Sequence, residues 1–179
     1  MVSIMMSWMA LGFNDTTLEP SLEKFRLSNT DLGRIFTVQY ASCAVGALLS
    51  GIFCHYEAEI FGSLSGHVLA ALAYILWGPA PFMGCEGSLW MVYLSQVFTG
   101  LSSAAMFTCS YSHALKVVRF RGFSETIRTK SFVSSSVFTF LVFGGMITPP
   151  FAGYLVEILG FRMATMAFCG LLAAWVKYN

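Results

Sequence analysis

Residues 87–115 read GSLWMVYLSQVFTGLSSAAMFTCSYSHAL, and none of these 29 positions carries an Asp, Glu, Lys or Arg. A helix rises about 1.5 Å per residue, so about 20 apolar residues cross the ~30 Å hydrocarbon core of a bilayer. This stretch is more than long enough. A charge at mid-bilayer costs at least ~2.5 kcal/mol, which is why spanning segments exclude it. The same signature recurs at 35–56, 60–85 and 131–156, which are charge-free over 22, 26 and 26 residues. Four such runs in 179 residues leave too little polar sequence to wrap them as the core of a soluble protein. Only 11% of the residues are charged and 56% are hydrophobic, against about 25% charged in an ordinary soluble domain. Membrane β-barrels alternate apolar and polar residues in ~10-residue pieces, and these continuous runs do not.

Two shorter charge-free pieces flank the four. Residues 1–14 (MVSIMMSWMALGFN) lack the basic leader and cleavage site of a signal peptide. Residues 163–176 reach spanning length if the segment begins near Leu159 and runs to Tyr178. The expected fold is therefore all-α, a polytopic transmembrane bundle of about six helices in one domain, 1–179. The expected spans are about 1–17 (truncated), 32–54, 60–79, 88–114, 131–157 and 160–178. Lys116, Arg119, Arg121, Arg128 and Lys130 place loop 116–130 on the cytoplasmic side by the positive-inside bias. Alternation puts loop 55–60 and Lys177 with it, and 18–34, 80–88 and the Gly160 turn opposite.

Polar residues inside spans are expensive unless paired, so they are the first functional candidates. Asp15 and Glu19 are four apart, which sets both carboxylates on one helix face, a plausible site for a cation or a proton. The plain alternative is that Asn14 and Asp15 cap or turn the chain among the headgroups. Gln39, Tyr40, Gln96 and Ser103 either line a solute path or bond a neighbouring helix. His67 reads as a packed, neutral histidine. Gly46, Ser50, Gly51 and the Gly100–Ala105 stretch permit close helix approach. In G-G-M-I-T-P-P-F-A-G, Gly144, Gly145, Pro149, Pro150 and Gly153 suggest a kinked element that either moves or is a fixed bend.

The five cysteines, 43, 54, 85, 109 and 169, show no metal-ligand spacing and read as reduced packing residues, with Cys85 near an interface. No metal or cofactor is implied. The three histidines are scattered, no nucleophile–base pair is in view, and enzymatic function is not expected. No basic stripe interleaved with aromatics points to nucleic acid. The lipid bilayer is the expected partner.

The order L-G-F-N-D-T-T-L-E-P-S-L-E-K-F from Leu11, W-G-P-A-P-F at 77–82, S-L-W at 88–90 and P-P-F-A-G-Y-L-V-E-I-L-G-F-R at 149–162 resembles the carboxy-terminal half of a major facilitator superfamily transporter. More narrowly, it resembles the vesicular amine transporter family, nearest its polyamine branch. The resemblance implies helices seven to twelve of a twelve-helix, proton-coupled antiporter that loads a small organic cation into acidic vesicles or another intracellular membrane. The cation and protons would move between two six-helix halves. Glu19 matches the acid of an L-E-P triplet that contributes to transport in aminergic members. Ser103 and Phe138 stand where those members carry acids, which argues against monoamines. The loop G-I-F-C-H-Y-E-A-E-I replaces a basic G-x-x-S-D-K pattern, and T-P-P-F-A-G replaces G-P-x-x-G-G. On this resemblance the partner is a missing amino-terminal half or a second chain. The alternative is a degenerate or truncated, non-transporting protein that pairs with or regulates a full-length transporter.

Overall fold

The computed structural model describes residues 2–78, 88–124 and 126–178. Cys85, most of the 77–82 motif and Glu125 lie outside the described residues. The described residues form six α-helices: α1 (Val2–Leu22), α2 (Asn29–His55), α3 (Glu59–Trp77), α4 (Leu89–Phe120), α5 (Ile127–Leu159) and α6 (Phe161–Tyr178), with a 3-10 turn at Glu23–Phe25 between the first two. No strand occurs among the described residues. α2, α3 and α5 are long and apolar enough to cross a membrane by length and composition.

Helix ends follow local chemistry. Ser28 caps α2 by accepting the Asp31 amide, and Thr126 caps α5 by accepting the Thr129 amide. Gly160, at φ 75°, makes the sharp break between α5 and α6 that a residue with a Cβ would resist. Two ends differ from the charge-free reading. α1 does not stop near residue 17 but continues to Leu22, because Asp15 and Glu19 sit on an exposed face of an intact helix. Asn14 and Asp15 are thus interior helix residues and not a cap. α4 runs to Phe120, so the basic connection shrinks to 121–126.

α4 packs against α2, α3 and α1; α1 also packs against α5, and α3 against α6. The close approach is made by small residues. A Cβ on Gly100 would run into the Gln39 carbonyl and come within 2.8 Å of the Cys43 amide, so α2 and α4 meet at backbone contact. A Cβ on Gly144 would stand 2.8 Å from the Met5 carbonyl, fixing α1 against α5. Gly46 likewise approaches Leu101, whereas Gly51 meets nothing within 4 Å.

An aromatic cluster holds α1, α3 and α6 together. Phe13 stacks on Phe168 at 4.9 Å and meets Tyr74 edge-on at 5.7 Å, while Trp77 meets Phe161 edge-on at 5.0 Å. The Tyr74 hydroxyl donates to the Ala10 carbonyl at 2.6 Å. The radial distribution of polarity is the reverse of a soluble protein's. Ser7, Asn14, Gln39, Ser95, Gln96, Ser102, Ser103 and Thr148 are buried, while Leu48, Phe61, Phe132, Met146 and Tyr154 face outward. Apolar side chains outside and bonded polar groups inside are what a hydrocarbon solvent demands.

Candidate functional site

Three amides from three helices meet at the centre of the bundle. Asn14 on α1, Gln39 on α2 and Gln96 on α4 are each fully buried, at 0% exposure. Asn14 Nδ2 donates to Gln39 Oε1 and to Gln96 Oε1, both at 3.0 Å, and Gln96 Nε2 donates back to Asn14 Oδ1 at 2.9 Å. Both Asn14 protons are used, and its oxygen is engaged. Asn14 is the hub, and sequence reasoning treated it only as a possible cap. The signal was present: an amide within an otherwise apolar run must find partners.

The network reaches the surface through Gln39. Its Nε2 donates to Asp15 Oδ1 at 3.3 Å, and the Tyr40 hydroxyl donates to Asp15 Oδ2 at 3.3 Å. Charge-assisted bonds to a carboxylate usually run about 2.7–2.9 Å. Asp15 is therefore oriented by two long bonds and retains acceptor capacity on an exposed face. Glu19, one turn on and also exposed, makes no hydrogen bond or ion pair among the described residues. Asp15 has no cationic partner among them either.

Ser103 stands two turns along α4 from Gln96, away from Asp15. Its hydroxyl donates to the Gly100 carbonyl at 3.0 Å, and its own carbonyl accepts from Ser7 at 3.2 Å. The pairs Asn14–Gln96 and Ser7–Ser103 step by seven residues in opposite directions along α1 and α4. That is the register of an antiparallel helix pair, and Ser103 belongs to this packing seam. His67 is buried as a packed residue, its Nδ1 2.8 Å from the Ser63 carbonyl.

The α5 residues lie elsewhere. Gly144 packs on Met5, a Cβ on Gly145 would stand 3.8 Å from the Trp8 ring, and Thr148 opposes Gly12. The helix is continuous through Pro149 and Pro150, with the Thr148 hydroxyl bonded to the Gly144 carbonyl at 2.7 Å. The expected kink thus leaves no break in the helical assignment. Pro149 and Gly153 line a cavity of about 430 Å³ between α1, α5 and the start of α6, together with Thr16, Ser21 and Glu157.

A second ionic feature sits at the bundle end that carries the 121–126 connection. Lys116 Nζ lies 2.6 Å from Glu59 and 3.5 Å from Glu57, and the Ser112 hydroxyl donates to Glu59 Oε1 at 3.3 Å. Glu59 is only 3% exposed. Lys116 and the Ser112 hydroxyl thus partner a carboxylate that the packing has withdrawn from solvent. Lys116→Met is expected to lower the melting temperature of the detergent-solubilised protein more than Glu57→Gln does, because only the former leaves a buried charge without its partner. Equal, negligible shifts would remove the pair from the account.

A bundle with an apolar exterior, bonded polar groups inside and three helices among the described residues that are long and apolar enough to cross a bilayer is a multi-pass integral membrane protein. The profile of the Major Facilitator Superfamily matches residues 1–177, and the chain belongs to that family. It is 30% identical over 165 residues to the MFS-type transporter SLC18B1 of Homo sapiens, which covers 90% of this chain and 36% of that protein. The Mus musculus and Rattus norvegicus proteins of the same name are 29% and 28% identical over 156 residues, 86% of this chain and 34% of theirs. The chain thus spans about a third of the length of the curated relatives it matches. No solved structure matches it.

Proposed function

We propose that this chain forms the carboxy-terminal half of a proton-coupled antiporter for a small, polyamine-like organic cation, acting on an intracellular vesicle membrane with connection 121–126 in the cytoplasm. It works with an amino-terminal six-helix half or a second chain, and the solute passes between the two. The carrying observation is Asp15: an exposed carboxylate on α1, oriented by Gln39 and Tyr40, with a buried amide core behind it and no cationic partner among the described residues. Asp15 is the primary cation contact, and Glu19 extends the same face by one turn. A carboxylate binds an ammonium only when deprotonated, so proton and cation compete for one group. That competition couples uphill movement of one to downhill movement of the other. Gln39 and Tyr40 hold the group at fixed geometry, which limits the ordering needed on binding.

The test uses vesicles from cells that co-produce this chain and an amino-terminal six-helix half of a family member. Under an inside-acid gradient they are expected to accumulate labelled spermidine and to release it when a protonophore collapses the gradient. Accumulation that ignores the gradient, with both halves inserted, rejects proton coupling; no accumulation at all rejects the transport reading.

A further inference from the structure

The cavity between α1 and α5 does not include Asp15 in its lining, and Phe161 at the start of α6 contributes to its wall. Its lining is unusual in hydrogen-bonding sense. Thr16 Oγ1 donates to the Gly12 carbonyl at 2.8 Å, Thr17 Oγ1 to the Phe13 carbonyl at 2.6 Å, and Ser21 Oγ to the Leu18 carbonyl at 2.7 Å. A hydroxyl has one proton and two lone pairs. With the proton committed to the helix backbone, each of these groups can only accept.

The backbone adds to the same sign. Pro20 has no N–H to offer the Thr16 carbonyl, and Pro149 none to offer the Gly145 carbonyl, so both carbonyls lose their usual helical donor. Glu157 supplies the one formal charge among the described lining residues; it is exposed and makes no hydrogen bond or ion pair among the described residues. Val156 and Phe161 contribute apolar wall, and at Gly153 a Cβ would meet nothing within 4 Å. A volume of about 430 Å³ is within the ~300–1,000 Å³ range of small-molecule sites.

Among the described residues the lining offers acceptors, one carboxylate and an apolar wall, with each hydroxyl proton held by the helix backbone, and this fits one ligand chemistry. The occupant must bring N–H donors, a positive charge and a hydrocarbon stem. Anions and carbonyl-type neutral ligands meet the Glu157 carboxylate and hydroxyls whose protons are already bonded, and a quaternary ammonium has the charge without the protons. We propose that this cavity is a second cation subsite, selective for primary or secondary alkylammonium groups, at the end of the bundle opposite connection 121–126. It deepens the organic-cation reading and rests on that reading for its place in transport, whereas the binding itself is set by the lining. A ligand with two ammonium groups separated by methylenes is the natural probe.

Equilibrium binding to the 179-residue chain in lipid nanodiscs decides the matter. Radiolabelled 1,4-diaminobutane is expected to bind saturably, and its hexamethyl bis-quaternary analogue, equal in charge and stem but without N–H, to compete at least about tenfold more weakly. Glu157→Gln is expected to weaken diamine binding about tenfold. Thr16→Val, which keeps shape and removes an acceptor, is expected to weaken it severalfold even if Glu157→Gln fails to fold. Equal competition by the quaternary analogue overturns the subsite. So does unchanged binding in either variant with a wild-type gel-filtration profile. If Asp15→Asn alone removes binding, the functional reading stands and the subsite falls. Loss in Glu157→Gln with none in Asp15→Asn supports the subsite and dismisses Asp15 as the cation contact. Absence of saturable binding removes the subsite, while the transport reading, which needs the amino-terminal half, stands or falls on the uptake test.

Discussion

Replacing Asn14 with alanine is expected to be among the most destabilising single changes in the bundle, at about 2–4 kcal/mol. Interhelical hydrogen bonds in a bilayer average about 0.6 kcal/mol and reach ~1.7. Asn14→Ala removes three of them and leaves Gln39 Oε1 and both polar atoms of the Gln96 amide without the partner they shared, in a fully buried site. Stranding a buried polar group costs about 1–3 kcal/mol beyond the bond itself. The loss is asymmetric: replacing all three amides by leucine removes the polar atoms together and is expected to recover most of the stability. Unfolding of the solubilised protein in sodium dodecyl sulfate, followed by circular dichroism, measures both. A single mutant with a wild-type midpoint would show that the amides do not hold α1, α2 and α4 together.

The two reported serine and amide pairs explain why only part of this was legible beforehand. That Gln39 and Gln96 needed partners was readable from their places in charge-free runs, since hydrocarbon offers none. Which partners they take depends on how α1 and α4 pair, and a list of polar positions does not contain that. The seven-residue steps from Ser7 to Asn14 and from Gln96 to Ser103 become meaningful only once the helices are known to touch. Helix existence followed from the absence of charge; helix ends did not, for the same reason. Asp15 and Glu19 ended the first charge-free run, yet the helix continues because those acids sit on an exposed face. Lys116 seemed to open a loop, yet it lies within α4 and finds Glu59. The acceptor cavity was least accessible, because Thr16, Pro149, Glu157 and Phe161 come from three helices and its selectivity depends on where hydroxyl protons point.

Asp15→Asn is expected to reduce gradient-driven cation uptake by about 10- to 100-fold. A hydrogen bond to a charged group is worth about 1.5–3 kcal/mol, and each 1.4 kcal/mol is a factor of ten. Asparagine keeps the shape; its one oxygen can accept from Gln39 while its NH2 donates to the Tyr40 hydroxyl oxygen, so the bundle should fold with an unchanged midpoint and the deficit belongs to the charge. The distinguishing readout is the pH profile. In the wild type, cation binding weakens as the carboxylate takes up a proton; in Asp15→Asn the residual binding should lose that limb. Tyr40→Phe, which removes only a 3.3 Å bond, is expected to cost a few-fold and to keep the limb. Glu19→Gln discriminates between the two acids of this face. If Glu19 is the coupling group, as its place in the L-E-P triplet suggests, Glu19→Gln abolishes the limb and Asp15→Asn spares it. The geometry favours the opposite result, because a group that must bind and release a cation reproducibly needs fixed orientation. Asp15 has two donors that supply it, and Glu19 has none among the described residues.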